Sequence, residues 1–164
     1  MGALNKETER KFLVNSFVFR NLGNAVYYCQ GYLNDDPGRV VRVRIAGEKA
    51  FLTIKGKNEG ITRPEYEYDI PVEDAGFMLK SLCLQPVIEK YRYKIPWGDL
   101  FWEVDEFSGE NEGLVIAEIE LPDENHPFDI PEWIGEEVTS DEKYYNVNLR
   151  KNPYKNWREV KGKK

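Results

Sequence analysis

Histidine is almost missing from this chain. Its one copy among 164 residues is His126, beside Pro127 in an acidic, turn-rich stretch. That scarcity argues against a histidine-built zinc centre and against Ser/His or Cys/His catalysis. Cysteine is nearly as rare. Cys29 and Cys83 both lie in runs that read as buried, which suits a reducing cytoplasm better than a disulfide-stapled secreted domain. No apolar run is long enough to span a membrane and no secretory leader is visible. The start, Met1-Gly2-Ala3-Leu4-Asn5-Lys6, lacks the Ser or Thr of a myristoylation signal. Neither a phosphate-cradling glycine loop ahead of Lys-Ser/Thr nor a dinucleotide fingerprint occurs, and no internal repeat is found. Positive charge is not in excess: a net charge of −6 excludes a general nucleic-acid binder. A phosphorylated ligand remains open if basic side chains converge locally.

What the chain has in quantity is charge, at 32%, alongside 13% aromatic residues and many short apolar runs. That composition is too aromatic for disorder, and the length fits one domain with room for a modest closed barrel. Strands are expected at roughly 5–14, 26–33, 39–45, 50–57, 63–70, 88–95, 100–106 and 114–121. A short helical turn closed by Gly23 is expected after the first of them. Pro71-Val72-Glu73-Asp74 opens a helix, with proline at its first position and acids at the positive end of its dipole. Phe77, Met78 and Leu82 give that helix an apolar side, and Pro86 ends it. Residues 122–131 read as a loop, 141–149 as a last helix, and the segment from Lys151 as a basic, solvated tail. About eight strands with one clear helix imply an antiparallel all-β or α+β domain, with a closed barrel as one form of it.

Side chains alternate between the faces of a strand, so each strand can be read for two faces. Glu7, Glu9 and Lys11 share one face. Arg42 and Arg44 alternate with Val41, Val43 and Ile45, and Lys55 with Leu52 and Ile54. Arg63, Glu65 and Glu67 share a face, as do Lys90, Arg92 and Lys94. Glu103 and Asp105 alternate with Trp102 and Val104, and Glu118 and Glu120 with Ala117, Ile119 and Leu121. One reading is an ordinary sheet with a face in water. The sharper one is a barrel turned inside out, with a charged lumen and an apolar outer face. Charges of one sign recur at i, i+2 on several strands, which favours the second. Acid pairs would then hold an octahedral, oxygen-loving ion, and basic pairs a polyanion. Tyr28 and Tyr32 read as packing residues, Lys94 as a solvated strand end, and His126, Arg158 and the tail lysines as solvated.

Glu7-x-Glu9-x-Lys11 resembles the ExExK signature of the CYTH, or triphosphate tunnel metalloenzyme, superfamily. The resemblance continues through Arg42-x-Arg44, Thr53-Ile54-Lys55, Arg63-Pro64-Glu65-Tyr66-Glu67, Glu89-Lys90-Tyr91-Arg92, Glu103-Val104-Asp105 and Glu118-Ile119-Glu120. It ends with Glu137-Val138-Thr139-x-Asp141-x-x-Tyr144-x-Asn146 and covers about residues 5–150. It implies an α+β, mainly β fold: an eight-stranded antiparallel tunnel barrel over 1–150 with a few flanking helices, and a basic tail over 151–164. It also implies hydrolysis of a linear triphosphate by metal-activated water, with Mg²⁺ or Mn²⁺ held by Glu7, Glu9, Asp105, Glu118 and Glu120. Lys11, Arg42, Arg44, Lys55, Arg63, Lys90, Arg92 and Lys143 would bind the substrate. Lys11, Glu67 and Lys90 would be catalytic, Glu67 pointing inward to hold a basic residue or water. The short chain favours inorganic tripolyphosphate. A class IV adenylyl cyclase, a thiamine or nucleoside triphosphatase and a non-catalytic polyphosphate-binding module are the alternatives. The expected setting is the cytoplasm, as monomer or homodimer, with a small-molecule substrate and neither nucleic acid nor membrane.

Overall fold

The alternating runs fold as strands. The computed structural model describes residues 5–157. Its strands are β1 (Lys6–Val14), β2 (Ala25–Tyr32), β3 (Arg39–Ala46), β4 (Lys49–Gly56), β5 (Thr62–Ile70), β6 (Leu84–Trp97), β7 (Leu100–Phe107), β8 (Val115–Glu120) and β9 (Ile134–Glu137), with helices α1 (Val72–Ser81) and α2 (Asn146–Lys151). Their order in the sheet is β5-β4-β3-β2-β6-β7-β8-β1-β9, and β5 also pairs with β1. That extra pairing closes β1–β8 into an antiparallel eight-stranded barrel. β1 shares its edge in two parts: Lys6–Thr8 pair with β5, and Phe12 and Val14 pair with β9. The short strand β9 covers backbone that would otherwise be an open edge, and it was not expected from the sequence. Among the described residues no helix is long and apolar enough to cross a membrane.

The barrel is apolar outside. Trp102, Val104, Ala117 and Ile119 are fully buried on the outer face of β7 and β8, where Phe12, Phe19, Leu121, Trp133 and Ile134 pack over them. Trp102 meets Phe12, Phe128 and Trp133 edge-on at centroid distances of 5.5–6.0 Å, a geometry that aromatic quadrupoles favour. A second outer core lies under α1, where Ala75, Leu79 and Cys83 cover Val43 and Ala50. The helix docks through Ala75 and Leu79, while Phe77 and Leu82 are 72% and 65% exposed. Of the apolar side expected from Phe77, Met78 and Leu82, Met78 packs against this core, while Phe77 and Leu82 turn to solvent, so the buried side is rotated. A small residue at 75 lets the helix approach the sheet, and that outweighs the larger side chains. Pro86 does not end a helix either: β6 starts at Leu84 and runs through it.

One end of the barrel is plugged. Ile88, Phe107 and Ile116 occupy the inward rows of β6, β7 and β8. Val138, Tyr144, Leu149 and Trp157 close over them from the chain beyond the barrel. The expected helix over 141–149 is a 3₁₀ turn, Glu142–Tyr144, followed by α2. The expected solvated tail is corrected over its first part. Trp157 is buried and packs edge-on against Tyr144 and Tyr154. Arg158 and the residues after it lie outside the described residues.

Gly31 marks where β2 passes closest to α1. A Cβ there would come within 2.9 Å of the Cys83 Cβ and 3.1 Å of a Leu79 methyl. Gly31→Ala is expected to destabilise the fold by about 1–3 kcal/mol through overpacking. The check is a lower urea midpoint at unchanged m-value, and an unchanged midpoint would refute the close approach.

Candidate active site

The inward rows of the strands meet in one cavity of about 340 Å³. Seven basic side chains and seven glutamates line it, so the lumen is close to neutral at rest. The strand order separates the signs. Lys55 on β4, Arg42 and Arg44 on β3 and Lys90 and Arg92 on β6 form a basic arc. Glu103 on β7, Glu118 and Glu120 on β8 and Glu7 and Glu9 on β1 form an acidic one. Antiparallel register sets the neighbours: Glu9 stands opposite Glu120, Lys11 opposite Glu118, and Glu7 opposite Arg63. Directly opposed side chains lie about 5 Å apart at Cβ, near enough for strong electrostatic coupling.

Most of these charges are paired inside the barrel. Lys55 Nζ donates to both Glu7 oxygens at 3.0 and 3.1 Å and lies 3.6 Å from Glu65. Lys11 Nζ donates to Glu118 and, at 3.4 Å, to Glu9. Its backbone is held from the plug side, since Val138 N donates to Lys11 O at 2.8 Å and Lys11 N donates to Thr139 Oγ1 at 3.1 Å. Arg92 forks onto Asp105, with Nε and Nη2 donating at 2.7 and 2.8 Å, and Nη2 also reaches Glu118 at 3.3 Å. Lys90 Nζ is 2.7 Å from the same Asp105. Arg42 donates to Thr53 at 3.1 Å and to Glu67 at 3.4 Å, and Thr53 donates to Glu67 at 2.8 Å. Glu67 thus sits behind Arg42 and orients it.

Two donors on the basic arc are left over. The Nε of Arg42 is buried with no hydrogen-bond partner. Arg44 pairs with no carboxylate among the described residues. Its Nε donates to Gln30 Oε1 at 3.0 Å, and its guanidinium lies 5.1 Å from the centre of the Tyr28 ring. Burial, together with Arg42 and Arg92 nearby, brings Arg44 down to about 10. Burial also pushes Lys90 down to about 7, because the Asp105 charge that opposes this is shared with Arg92.

Two carboxylates on the acidic arc are likewise under-compensated. Burial, reinforced by Glu118 and Glu7, pushes Glu9 up to about 7. Partial burial, reinforced by Glu7, Glu65 and Glu103, does the same to Glu120. Their neighbours go the other way. Burial opposes ionisation of Glu7, but Lys55 and Arg63 outweigh it and hold Glu7 at about 2. Lys11 and Arg92 likewise hold Glu118 well below the usual range, against burial.

Of the residues expected at the site, Glu7, Glu9, Lys11, Arg42, Arg44, Lys55, Arg63, Glu67, Lys90, Arg92, Glu118 and Glu120 line the cavity. Two do not. Asp105 is 1% exposed, lies outside the cavity lining and, as placed, has both oxygens taken by Arg92 and Lys90, so it anchors those two cations. Lys143 lies outside the cavity lining, with its ammonium 4.9 Å from the Trp157 ring centre and 5.3 Å from that of Tyr144. As placed, this cation is drawn onto the aromatic side of the plug rather than toward the cavity.

Residues the sequence passed over are present too. Tyr28, read as packing, lines the cavity between Arg44 and Arg92, whose guanidinium is 4.8 Å from its ring centre. Tyr32 also lines it and accepts from Gln30 Nε2 at 3.0 Å. Asn146 accepts from Lys90 at 3.1 Å. The alternation of Tyr28, Gln30 and Tyr32 along β2 was the available signal.

Residues 5–150 match the CYTH domain family. The chain is 56% identical over 156 residues to an inorganic triphosphatase of Acetivibrio thermocellus, covering 95% of this chain and all of that protein. It is 40% identical over 148 residues to an inorganic triphosphatase of Nitrosomonas europaea, covering 87% and 95% of the two chains. A solved inorganic triphosphatase structure superposes with a TM-score of 0.63 at 36% identity, over 88% of this chain and 93% of that one. A plugged, inside-out barrel, carrying these motifs in this order and matched over nearly its whole length, places the chain in the CYTH domain family.

Proposed function

We propose that the chain is a divalent-metal-dependent hydrolase of linear triphosphates, with inorganic tripolyphosphate as its substrate and phosphate released. The observation that carries this reading is the division of one cavity into a basic arc, with an unpartnered Arg42 Nε and an Arg44 that meets no carboxylate among the described residues, and an acidic arc with two under-compensated glutamates. The relatives named inorganic triphosphatases support it. Tyr28 is held between two guanidiniums, so its ring is not free to stack on a nucleobase.

A nearly neutral lumen cannot take up a polyanion alone, so the charge has to be met by a cation entering with it. The donor set fits a hard divalent ion, Mg²⁺ or Mn²⁺: it is all carboxylate oxygen. Glu9 and Glu120 face each other, and burial, reinforced by the neighbouring carboxylates, pushes both up to about 7. Among the described residues no three such ligands stand close enough together as placed. Lys11 and Lys55 occupy Glu118 and Glu7, so phosphate oxygens that draw these lysines away complete the set. An ion held by Glu7, Glu9, Glu118 and Glu120 would supply charge neutralisation and activation of the attacking water.

The chain's own residues do the rest. Arg42, Arg44, Arg63 and Arg92 bind phosphate oxygens and hold the phosphorus in line, which is most of what phosphoryl transfer needs. Lys11 and Lys55 move between carboxylate and phosphate. Lys90 changes protonation near neutrality, so it can donate to a phosphoryl oxygen and exchange a proton as the bond breaks. Glu67 keeps Arg42 aligned. We place this activity in the cytoplasm, where the free thiols Cys29 and Cys83 are stable, in a monomer or homodimer acting on a small molecule without nucleic acid or membrane.

The deciding assay supplies tripolyphosphate, ATP or thiamine triphosphate with Mg²⁺ or Mn²⁺ and quantifies phosphate, pyrophosphate and cyclic AMP. Phosphate from tripolyphosphate is expected to dominate. Cyclic AMP as main product would make the protein a cyclase, and tight polyphosphate binding without turnover would make it a binding module. Glu9→Ala and Glu120→Ala are each expected to lower kcat by at least about 100-fold with the fold intact by circular dichroism.

Stability should also report the acids. Glu9 and Glu120 rise from an ordinary 4.5 to about 7 on folding. The folded state therefore holds their protons more tightly, and stability falls as pH rises from about 4.5 to 7. Glu7 and Glu118 act below that window and Lys90 above it. The melting temperature of metal-free protein is expected to drop between pH 5 and 7, and added Mg²⁺ to flatten the drop. A metal-free profile that rises across this interval would contradict the assignment.

A further inference from the structure

Asn146 lies at the start of α2, beyond the barrel strands, yet its side chain reaches the most buried cation of the lumen. Lys90 is 0% exposed, and its Nζ donates to Asn146 Oδ1 at 3.1 Å. We propose that Asn146 is a positioning residue that aims the Lys90 ammonium at the phosphate in the cavity, and so ties turnover to the seating of the plug. This rests on the triphosphatase reading.

An ammonium has three N–H bonds and accepts nothing. Asp105 Oδ2 takes one at 2.7 Å and Asn146 Oδ1 takes a second. The Phe107 ring, centred 5.4 Å away, occupies another side of the nitrogen. One N–H is left, and Lys90 lines the cavity. Without the second acceptor the ammonium could rotate about its bond to Asp105, and no N–H would hold its aim.

The chemical type of the acceptor matters. A neutral amide fixes direction without adding charge, whereas a carboxylate would compete with an incoming anion. Arg44 is treated in the same way: its Nε is held by the buried amide oxygen of Gln30. Two cations of the basic arc are thus steered by uncharged oxygens: Arg44 pairs with no carboxylate among the described residues, and Lys90 shares its one carboxylate, Asp105, with Arg92.

The plug makes Asn146 stiff. Tyr144 and Leu149, on either side of it in sequence, are buried in the apolar end of the barrel. Asn148 Nδ2 donates to Glu142 O at 2.8 Å, Arg150 to Gln85 O at 3.2 Å, and Lys151 pairs with Asp35 at 2.7 Å. The amide that meets Lys90 is therefore held by packing and by links to the loops around it.

The test is steady-state hydrolysis of tripolyphosphate with Mg²⁺ by wild type, Asn146→Ala and Asn146→Asp, each with a thermal melt. A misaimed Lys90 weakens one charge-assisted hydrogen bond to the phosphoryl group as charge develops in the transition state, which should lower kcat of N146A by about 10- to 100-fold, with KM within about threefold. N146D keeps an acceptor in the same place, so it should recover most of kcat. Its added charge in an anion site should raise KM by about tenfold. Both variants should melt within about 3 °C of wild type. A kcat for N146A within twofold of wild type overturns the proposal. So does an equal loss of kcat in both variants, or a loss that merely follows a falling melting temperature. A wild type that does not hydrolyse tripolyphosphate overturns the triphosphatase reading and this proposal with it, whereas an active wild type with an indifferent Asn146 overturns this proposal alone.

Discussion

A charge removed from water has to be met by another charge or by strong hydrogen bonds, and in this barrel that requirement falls on the lumen rather than the surface. Lys90, Arg92, Asp105 and Glu118 are all at least nine-tenths buried. Each survives there because the antiparallel register sets an opposite charge beside it. Asp105 serves two cations, and Glu118 also receives two. The compensation is nearly complete. It falls short at Arg44 and the Nε of Arg42 on one arc and at Glu9 and Glu120 on the other. The points of failure face one cavity, which is why they read as a binding site for an anion and a cation together and not as errors of folding.

A polar interior has to be enclosed by apolar material elsewhere. The outer cores meet that need. Trp102, Val104, Ala117 and Ile119 bury their surface outward against Trp133, Ile134 and Phe19, while Val43 and Ala50 do so against α1. Each fully buried aliphatic or aromatic side chain of this kind is worth about 1.5–3 kcal/mol. The lumen need only avoid a deficit, because stability comes from the layer around it. This division lets an active site store unfavourable proximity, such as Glu9 beside Glu120, without unfolding the chain.

The alternation of charged and apolar residues made the inside-out barrel legible in the sequence. Period two puts Glu7, Glu9 and Lys11 on one face of their strand and Glu118 and Glu120 on one face of theirs, and the recurrence of like charges on several strands, with the family resemblance, favoured an inner face. Pairing was not legible. Asp105 has the residue type of a metal ligand, and only the register shows that Arg92 and Lys90 reach it first. Lys143 has the charge of a phosphate binder but sits over Trp157, a partner 14 positions away that no local pattern announces. Tyr28 and Gln30 were missed because uncharged residues in a charged row look like packing, and Asn146, though part of the recognised motif, lies beyond the strands and carries no charge to mark a role. The plug was missed because Val138, Tyr144 and Leu149 share no period. Their common face exists only once the inward rows end in Ile88, Phe107 and Ile116.

The plug also constrains how such a site can turn over. With one end of the barrel filled by side chains, a ligand enters and leaves by the same mouth. Under the proposed reaction, cleavage leaves two anions inside walls whose charges cancel. Their mutual repulsion, strengthened by the low dielectric of a buried cavity, then favours expulsion. A wholly basic lumen would bind the substrate more tightly and hold the products as tightly. Under that reading the glutamates have a second consequence: they would re-form their ion pairs with Lys11 and Lys55 as product departs, and that pairing would compete with phosphate for the same cations. Affinity is limited by the groups that make the chemistry possible, and the resting ion pairs of the lumen are the form this limit takes.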